Sequence, residues 1–224
     1  MKRFFIAICT IILFNTTSIV SASESRTTTI YKTKVKSVVS IKTQDTSGSG
    51  VIVKDDGTIV TCFHVIANAD TILVSLEDGS IYHVNGFRYI NPLSDVAILT
   101  LDTTRKFIPI NTTQNYNIGE KIYTISNPQS LNFVFSDGVI NQITKDYIQF
   151  SAPISGGSSG GALLNKSGNL LGIITSQLIP SKAQNINFAL PNKYFVSMIN
   201  NPTVINENNL PWTEFLVERA DEEQ

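Results

Sequence analysis

The segment 157–162 reads Gly-Ser-Ser-Gly-Gly-Ala and places Ser158 and Ser159 among glycines. A serine in a tight glycine turn can project its hydroxyl, with backbone N–H groups lying bare beside it. Attack on a carbonyl needs such a nucleophile, together with donors for the oxyanion that forms. By itself a Gly/Ser-rich run is more often a flexible loop, so the interpretation depends on residues elsewhere in the chain.

Two earlier segments supply the other groups that acyl transfer needs. His64 closes an apolar run that begins at Thr58, and Asp95 stands at the head of the apolar segment 96–99. The chain order is histidine, aspartate, serine, which is the order of the chymotrypsin-like double barrel; subtilisin-like enzymes and α/β-hydrolases use two other orders. Taken singly, these residues could be a core histidine, a strand cap and a loop serine, but their shared order favours catalysis.

The chain resembles the trypsin-like serine proteases, most closely the bacterial HtrA-type branch. The resemblance covers roughly residues 36 to 199, and its motifs occur in the family order. They are the segments 48–52 (G-S-G-V-I), 61–66 (T-C-F-H-V-I), 95–99 (D-V-A-I-L), 136–140 (S-D-G-V-I), 157–163 (G-S-S-G-G-A-L) and 187–191 (N-F-A-L-P). HtrA-type proteins usually carry a peptide-binding PDZ domain after the protease, and we expect this chain to be a protease domain without one.

The resemblance implies a serine-type endopeptidase with a Ser-His-Asp triad. Ser159 would attack the peptide carbonyl, and His64 would take its proton and later deliver it to the leaving amine. Asp95 would fix the imidazole tautomer and stabilise the imidazolium. The backbone N–H groups of Gly157 and Ser159 would form the oxyanion hole.

Two departures from the family pattern concern the same loop. Ser158 occupies the position that is Asn in HtrA-type proteins and Asp in trypsin, so activation by a newly cut N-terminus is not expected. Gly156 replaces a family proline, and two consecutive glycines make a loop easier to disorder. We expect a loop that becomes ordered with substrate.

The resemblance also predicts which residues line the specificity pocket. These are Ala152, Pro153, Ile154, Thr175, Ser176, Gln177 and Phe188, with Ala189 as a further candidate. No acidic residue lies near Pro153, where trypsin places its aspartate. A basic residue before the scissile bond is therefore not expected, and a small or aliphatic residue is favoured.

The elements that must position these residues are predicted to be strands. Short apolar runs separated by turn signals such as Asp55-Asp56-Gly57 and Glu77-Asp78-Gly79 indicate an all-β fold. We predict two antiparallel six-stranded chymotrypsin-like β-barrels with a short C-terminal helix. The barrels span residues 30–105 and 118–190, and a closing helix and tail occupy 191–224. Within the second barrel, the segments 131–135 and 138–143 are predicted to be two separate strands. The predicted site lies in the cleft between the barrels.

The first 22 residues read as a signal peptide. Two basic residues precede an apolar stretch to about residue 14, and Val20-Ser21-Ala22 resembles a cleavage site. The stretch is too short to span a membrane. We therefore expect an exported protein, periplasmic or secreted, with no stable membrane span after cleavage. An uncleaved anchor is the weaker alternative.

Composition excludes other classes of function. The 17 basic and 18 acidic side chains nearly balance and form no basic block, so no nucleic-acid partner is expected. Cys62 would be the only cysteine of the mature chain, and we interpret it as a buried small hydrophobe. With two distant histidines and this single cysteine, no metal or other cofactor is predicted.

Three functions remain open on the sequence. The leading one is a secreted serine endopeptidase acting on polypeptides through an acyl-enzyme. A non-catalytic peptide-binding module could use the same fold, and an esterase could use the same triad.

Overall fold

The computed structural model describes residues 24–128, 131–177 and 185–200, and most of them belong to two antiparallel barrels of six strands each. The first barrel comprises β1 (Val38–Lys42), β2 (Ser47–Ile52), β3 (Ile59–Thr61), β4 (Leu73–Ser75), β5 (Ile81–Asn91) and β6 (Val96–Leu101). Its hydrogen-bonded order is β1-β2-β3-β6-β5-β4, and β4 pairs with β1 to close the barrel.

The second barrel follows a linker that contains no strand. It comprises β7 (Lys121–Ser126), β8 (Val134–Ile143), β9 (Ile148–Phe150), β10 (Ala162–Asn165), β11 (Leu170–Gln177) and β12 (Asn187–Pro191). The order is β10-β11-β12-β9-β8-β7, and β7 closes on β10. The prediction of two six-stranded antiparallel barrels is confirmed.

The two turn signals read from the sequence join adjacent antiparallel strands. Gly57 has φ +84°, and the Asp56 carboxylate accepts the backbone N–H of Thr58 at 2.9 Å. Gly79 has φ +83°, and Asp78 accepts from the backbone N–H of Ser80 in the same way. Glycine adopts this left-handed backbone without a Cβ penalty, which is why each turn closes at its third residue.

One strand assignment in the second barrel was wrong. The segments 131–135 and 138–143 were read as two strands, but the structure has the single strand β8 across Ser136-Asp137-Gly138. Its pairing with β7 runs without a shift from Lys121↔Val139 to Ser126↔Val134. Gly138 lies within the strand because a Cβ there would come 2.4 Å from the Ala152 backbone nitrogen, so close packing, and not a turn, requires the glycine.

A continuous apolar core runs from the first barrel across the barrel interface. It includes Ile41 and Ile98 of the first barrel together with Ile125, Ile173 and Phe195 beyond it. A smaller cluster around Phe150 fills the second barrel. Each fully buried side chain of this size contributes about 1.5–3 kcal/mol. The shared core therefore fixes the two barrels, and the cleft between them, relative to each other.

Three short α-helices and two 3₁₀ turns complete the described structure. α1 (Arg26–Lys34), which was not predicted from the sequence, and a 3₁₀ turn at Val35–Ser37 precede the first barrel. α2 (Phe63–Ile66) follows β3 directly. After β12 come a 3₁₀ turn at Asn192–Tyr194 and α3 (Val196–Asn200), where the sequence predicts the closing helix.

Two predictions fall on residues outside the described ranges. They are the signal peptide at 1–22 and the tail after residue 200. Within the residues that the structure describes, no helix has the length and apolar character needed to cross a membrane.

Candidate active site

The imidazole of His64 and the carboxylate of Asp95 meet at the edge of the first barrel. β3 ends at Thr61, and the short helix α2 turns His64 toward the strand connection that precedes β6. The ring Nδ1 lies 2.8 Å from Asp95 Oδ2 and 3.0 Å from Oδ1. Because an ionised carboxylate only accepts, Nδ1 carries the proton and Nε2 is left as the basic nitrogen. The His64 side chain is 50% exposed, so this nitrogen is accessible from the cleft.

Asp95 is held by four hydrogen-bond contacts and by its backbone. Oδ1 accepts from the backbone N–H of His64 at 3.0 Å, in addition to the imidazole contacts. Oδ2 accepts from the Thr175 hydroxyl of the second barrel at 2.8 Å. The residue has φ +53°, a left-handed conformation that Asp adopts more readily than most residues. The carboxylate therefore has a defined orientation that both barrels determine.

The environment of Asp95 keeps its carboxylate ionised. Burial by itself raises the pKa of this group. The hydrogen bonds from His64 and Thr175 and the charge interaction with His64 oppose burial, and the net pKa lies below the ordinary value. A permanently charged acceptor next to Nδ1 is suited to stabilising an imidazolium.

Ser159 reaches the same cluster from the second barrel. Its hydroxyl donates to the Thr175 carbonyl at 3.1 Å, while the Thr175 hydroxyl contacts Asp95. Thr175 thus touches both partners. Within the described structure, no hydrogen bond joins the Ser159 hydroxyl to the His64 ring. The structure brings His64 and Asp95 into direct contact and brings Ser159 to them through Thr175.

The backbone around Ser159 leaves two N–H groups available. Gly157 has φ +90° and Gly160 has φ +83°, so the chain turns sharply on both sides of the serine. The Ser158 carbonyl accepts from the N–H of Gly161 at 2.9 Å, and the N–H of Gly160 donates to Ile174 at 2.7 Å. Among the described residues, no acceptor takes the N–H of Gly157 or of Ser159. These two groups are the predicted oxyanion donors.

Ser158 is almost fully buried, and its hydroxyl stabilises the loop from inside. Ser158 Oγ lies 3.1 Å from Ser126 Oγ and accepts the backbone N–H of Ser155 at 3.3 Å. The N–H of Ser158 in turn donates to the Ser155 carbonyl at 2.9 Å. The neutral hydroxyl of Ser158, paired with that of Ser126, therefore stands where trypsin has the aspartate that precedes its catalytic serine. The expected ordering of the loop by substrate stays a prediction.

The predicted specificity residues differ in their exposure. Ala152 is completely buried in the core of the second barrel, and its carbonyl accepts from the Asn187 side chain at 2.7 Å. Pro153 is exposed, and Ile154 is half-buried. Phe188 packs edge-on against Tyr147 with ring centroids 6.0 Å apart. The backbones of Ser176 and Gln177 continue β11, whose residues pair with β12 up to Gln177↔Asn187. The pocket assignment stays a prediction.

Cys62 lies beneath the His64–Asp95 pair. Its sulfur, a nitrogen of His64 and an oxygen of Asp95 lie within 4.8 Å of one another, which is a possible set of metal ligands. The thiol is completely buried and donates to the Ile174 carbonyl at 3.3 Å. Burial raises the pKa of the Cys62 thiol well above its ordinary value, and the Asp95 charge raises it further. The thiol therefore stays protonated and keeps its hydrogen bond to the Ile174 carbonyl, which fits the interpretation of Cys62 as a small buried side chain.

Two closed six-stranded barrels with this His–Asp–Ser cluster between them define a chymotrypsin-like fold of the serine peptidase class. A model of the trypsin-like peptidase domain matches residues 48–173. The chain is 35% identical over 158 residues to the serine endoprotease DegS of Haemophilus influenzae, covering 64% of this chain and 46% of that protein. It is 35% identical over 161 residues to DegS of Escherichia coli K12, with coverage of 65% and 45%.

A solved structure gives the same result in three dimensions. The crystal structure of the serine endoprotease from Yersinia pestis matches with a TM-score of 0.72 and 31% identity, over 80% of this chain and 66% of that one. The chain belongs to the trypsin-like peptidase family, and the DegS proteins are among the relatives it is similar to, which confirms the resemblance read from the sequence. It spans about half the length of the curated relatives it matches.

Sequence reasoning missed several residues that hold the site. Thr175 was assigned to the specificity pocket, but its hydroxyl binds Asp95. Ser49 was noted only as part of a motif, yet it contacts the loop around Ser159 through both its hydroxyl and its N–H. Ser126 and Asn127 had no assigned role at all. Among these contacts, only those of Ser49 could have been suspected from the sequence, because Ser49 lies in the family motif at 48–52.

Proposed function

We propose that this protein is a serine endopeptidase in which His64, Asp95 and Ser159 form the catalytic triad. The observation that carries the proposal is the bond from His64 Nδ1 to Asp95 Oδ2 at 2.8 Å, with Ser159 joined to the same cluster through Thr175. Membership of a peptidase family supports the assignment. Relatives at 35% identity are named serine endoproteases.

The first chemical step requires the Ser159 hydroxyl to leave the Thr175 carbonyl and turn toward His64 Nε2. The oxygen then attacks the peptide carbonyl carbon while Nε2 takes the hydroxyl proton. The imidazolium that results is stabilised by Asp95, which stays ionised. The carbonyl oxygen becomes an oxyanion, and the N–H groups of Gly157 and Ser159 stabilise it.

The second half of the reaction returns the enzyme to its starting state. The tetrahedral intermediate collapses, the C–N bond breaks, and His64 passes its proton to the leaving amine. A water molecule then gives a proton to His64 and attacks the acyl-enzyme, which releases the new carboxylic acid and restores the Ser159 hydroxyl. No other reactant is needed to balance the atoms.

The backbone of β11 supports a polypeptide as substrate. Its pairing with β10 reaches only Ala162↔Ile173, whereas its pairing with β12 continues to Gln177. Within the described ranges, residues 175–177 therefore lack a neighbouring strand on one side. An extended peptide can add to such an edge by backbone hydrogen bonds. The absence of an acidic residue near Pro153 favours a small or aliphatic residue before the scissile bond.

We also propose that the protein is exported after removal of residues 1–22. The basic start, short apolar stretch and small-residue site in the sequence support this. Expression in a bacterial host, fractionation and N-terminal sequencing test it. A mature chain that begins at Ser23 in the exported fraction supports the proposal, and an intact N-terminus in the cytoplasm overturns it.

Labelling with a fluorophosphonate tests the triad directly. Purified mature protein should be labelled on Ser159, and Ser159→Ala should not be labelled. The wild-type protein should also cleave casein and a fluorogenic peptide. Peptide binding with no labelling and no turnover would indicate a binding module, whereas turnover of esters alone would indicate an esterase.

A further inference from the structure

The hydroxyl of Ser49, on β2 of the first barrel, contacts the loop that carries Ser159. Ser49 is completely buried, and its Oγ donates to the Gly157 carbonyl at 2.9 Å. The same oxygen accepts from the backbone N–H of Asn127 at 2.9 Å and from Asn127 Nδ2 at 3.2 Å. A hydroxyl has one proton and two lone pairs, so this one is fully used. Its proton can only point to Gly157, because both groups of Asn127 are donors.

Further hydrogen bonds fix the side chain of Asn127, which orients the Ser49 hydroxyl. Its Nδ2 also donates to the Val39 carbonyl at 2.8 Å, and its Oδ1 accepts from the N–H of Phe133 at 2.9 Å. These contacts fix which end of the amide faces Ser49. Asn127 therefore links strand β1 of the first barrel to the segment after β7, and Ser49 lies at the centre of the contact.

The loop is attached through three consecutive carbonyl groups. Ser49 takes the Gly157 carbonyl through its hydroxyl and the Ser159 carbonyl through its N–H at 2.8 Å. Between them, the Ser158 carbonyl is held by Gly161. In a trans peptide the N–H points opposite to the carbonyl. The N–H of Ser159 shares its peptide with the Ser158 carbonyl, so the bond from Gly161 fixes its direction, while the two bonds from Ser49 hold the peptides on either side.

The N–H of Gly157 depends most on this attachment. It belongs to the peptide between Gly156 and Gly157, two residues without a side chain to restrict their backbone. Gly157 has φ +90°, and its carbonyl is held by Ser49 across the barrel interface. Without that bond, only the bond from the Ser158 N–H to the Ser155 carbonyl would hold the peptide after Gly157, and rotation about the two glycines would meet little steric resistance.

We propose that Ser49, oriented by Asn127, is a positioning residue that holds the oxyanion hole in its active geometry from the first barrel. This inference rests on the proposed serine-peptidase function. Ser49 acts through the backbone of Gly157 and does not touch the substrate. Its removal should lower the rate of the chemical step and should leave ground-state binding of the peptide nearly unchanged.

The test compares Ser49→Ala with Ser37→Ala. Ser37 is also completely buried, and its hydroxyl donates to the Ile108 carbonyl, so the two changes remove the same kind of bond. Ser37→Ala removes only this bond, whereas Ser49→Ala also removes the acceptor of the Asn127 N–H, so Ser49→Ala should lose more stability, by about 1–3 kcal/mol for each buried group left unsatisfied. We expect Ser49→Ala to lower kcat about 10- to 100-fold with KM changed less than about threefold, and Ser37→Ala to leave kcat within about twofold.

A transition-state analogue separates positioning from general loss of structure. For Ser49→Ala, the Ki of a peptide boronate should rise by the same factor as kcat falls, while the Kd of the cleaved product peptide stays constant. If Ser49→Ala does not fold, Ser49→Cys retains a weaker donor, and its kcat should be lowered less than tenfold. Equal kcat values for the Ser49 and Ser37 variants, or an unchanged boronate Ki, would overturn the inference.

One measurement does not depend on catalysis. Hydrogen exchange of the segment 155–161 should be faster in Ser49→Ala than in wild type, and unchanged in Ser37→Ala. Failure of the wild-type protein to react with a fluorophosphonate would refute the proposed function alone. Unchanged exchange in Ser49→Ala would refute the role of Ser49, whether or not the protein is active.

Discussion

The two barrels contribute to the site in different ways. In the proposed mechanism the first barrel contributes the His64–Asp95 pair, two titratable side chains that are half and partly exposed. The second barrel contributes the Ser159 hydroxyl and the turn that presents it, with Gly157 and Gly160 at positive φ. We expect the pair to tolerate a change of side chain without loss of fold. We expect the turn not to tolerate one at Gly160, where a Cβ would meet the Ser49 backbone.

Asp95→Asn should give the largest loss of activity with little loss of structure. Asn has the same size and also adopts the left-handed conformation seen at Asp95, φ +53°. It cannot hold the Nδ1 proton of His64 as an ionised carboxylate does, so kcat should fall about 10⁴-fold. Steady-state kinetics on a fluorogenic peptide measures the loss, and circular dichroism checks the fold.

The same variant has a stability effect with a defined sign. The folded pKa of Asp95 is lowered, so its ionised form stabilises the fold above the ordinary pKa of about 4 and this contribution is lost as the pH falls through the folded pKa. Wild type and Asp95→Asn should therefore converge in stability at acidic pH. A kcat within tenfold of wild type would contradict the role assigned to the first barrel.

Gly160→Ala should, unlike Asp95→Asn, cause a large loss of stability, because it disrupts the fold of the loop that carries Ser159. A Cβ at Gly160 would lie 2.0 Å from the Ser49 carbonyl oxygen and 2.4 Å from the Thr61 hydroxyl. We expect a loss of more than about 4 kcal/mol, beyond the usual range for single substitutions. Thermal or denaturant unfolding measures this loss.

Gly79→Ala is the matched control for that change. Gly79 has the same φ of +83°, but a Cβ there would meet nothing within 4 Å. Only the backbone strain remains, and the expected cost is about 1–2 kcal/mol. Equal losses at Gly79 and Gly160 would show that strain alone, and not contact between the barrels, requires glycine at residue 160.

Thr175→Val tests the hydrogen bond from the second barrel to Asp95 of the first barrel. The substitution keeps the shape but removes the hydroxyl that donates to Asp95 at 2.8 Å. A hydrogen bond to a charged group contributes about 1.5–3 kcal/mol, so kcat should fall about 10- to 100-fold. Thr175→Ser keeps the hydroxyl and should retain most of the activity. A Ser variant as slow as Val would indicate that packing of the methyl group matters instead.

The smallest effect should come from a charged surface cluster far from the chemistry. Asp78 accepts from Ser80 and from Arg105, and these bonds lower its pKa to about 2. Asp78→Asn should lower the melting midpoint slightly at pH 7. Because the folded pKa is depressed, the difference from wild type should persist above pH about 4 and shrink as the pH falls toward 2.

Glu77→Gln provides the control for Asp78. Glu77 is an exposed neighbour of the same sign, and within the described residues it takes part in no ion pair. Its removal should leave the midpoint unchanged across the same pH range, measured at low salt where surface pairs are least screened. Equal shifts for the two variants would show that net charge, and not the Asp78–Arg105 pair, is responsible.

The local features of the fold could be predicted from the sequence. Turns at Gly57 and Gly79 follow from Asp-Gly pairs, and the apolar segment 96–99 predicts the buried strand β6. The division of β8 into two strands was wrong because Ser136-Asp137-Gly138 has turn composition. Only the packing of Gly138 against Ala152, distant in sequence, shows that this glycine belongs inside a strand.

The types of the candidate catalytic groups, their order along the chain and the family could all be read from short sequence motifs. Motifs are local, and a turn or a strand start depends on a few neighbouring residues. The bonds from Thr175 to Asp95, from Ser159 to Thr175 and from Ser49 to the Gly157 carbonyl have no such motif and follow from the packing of the two barrels. These bonds join residues 16 to 108 positions apart, and their geometry exists only once the two barrels have packed on their shared core.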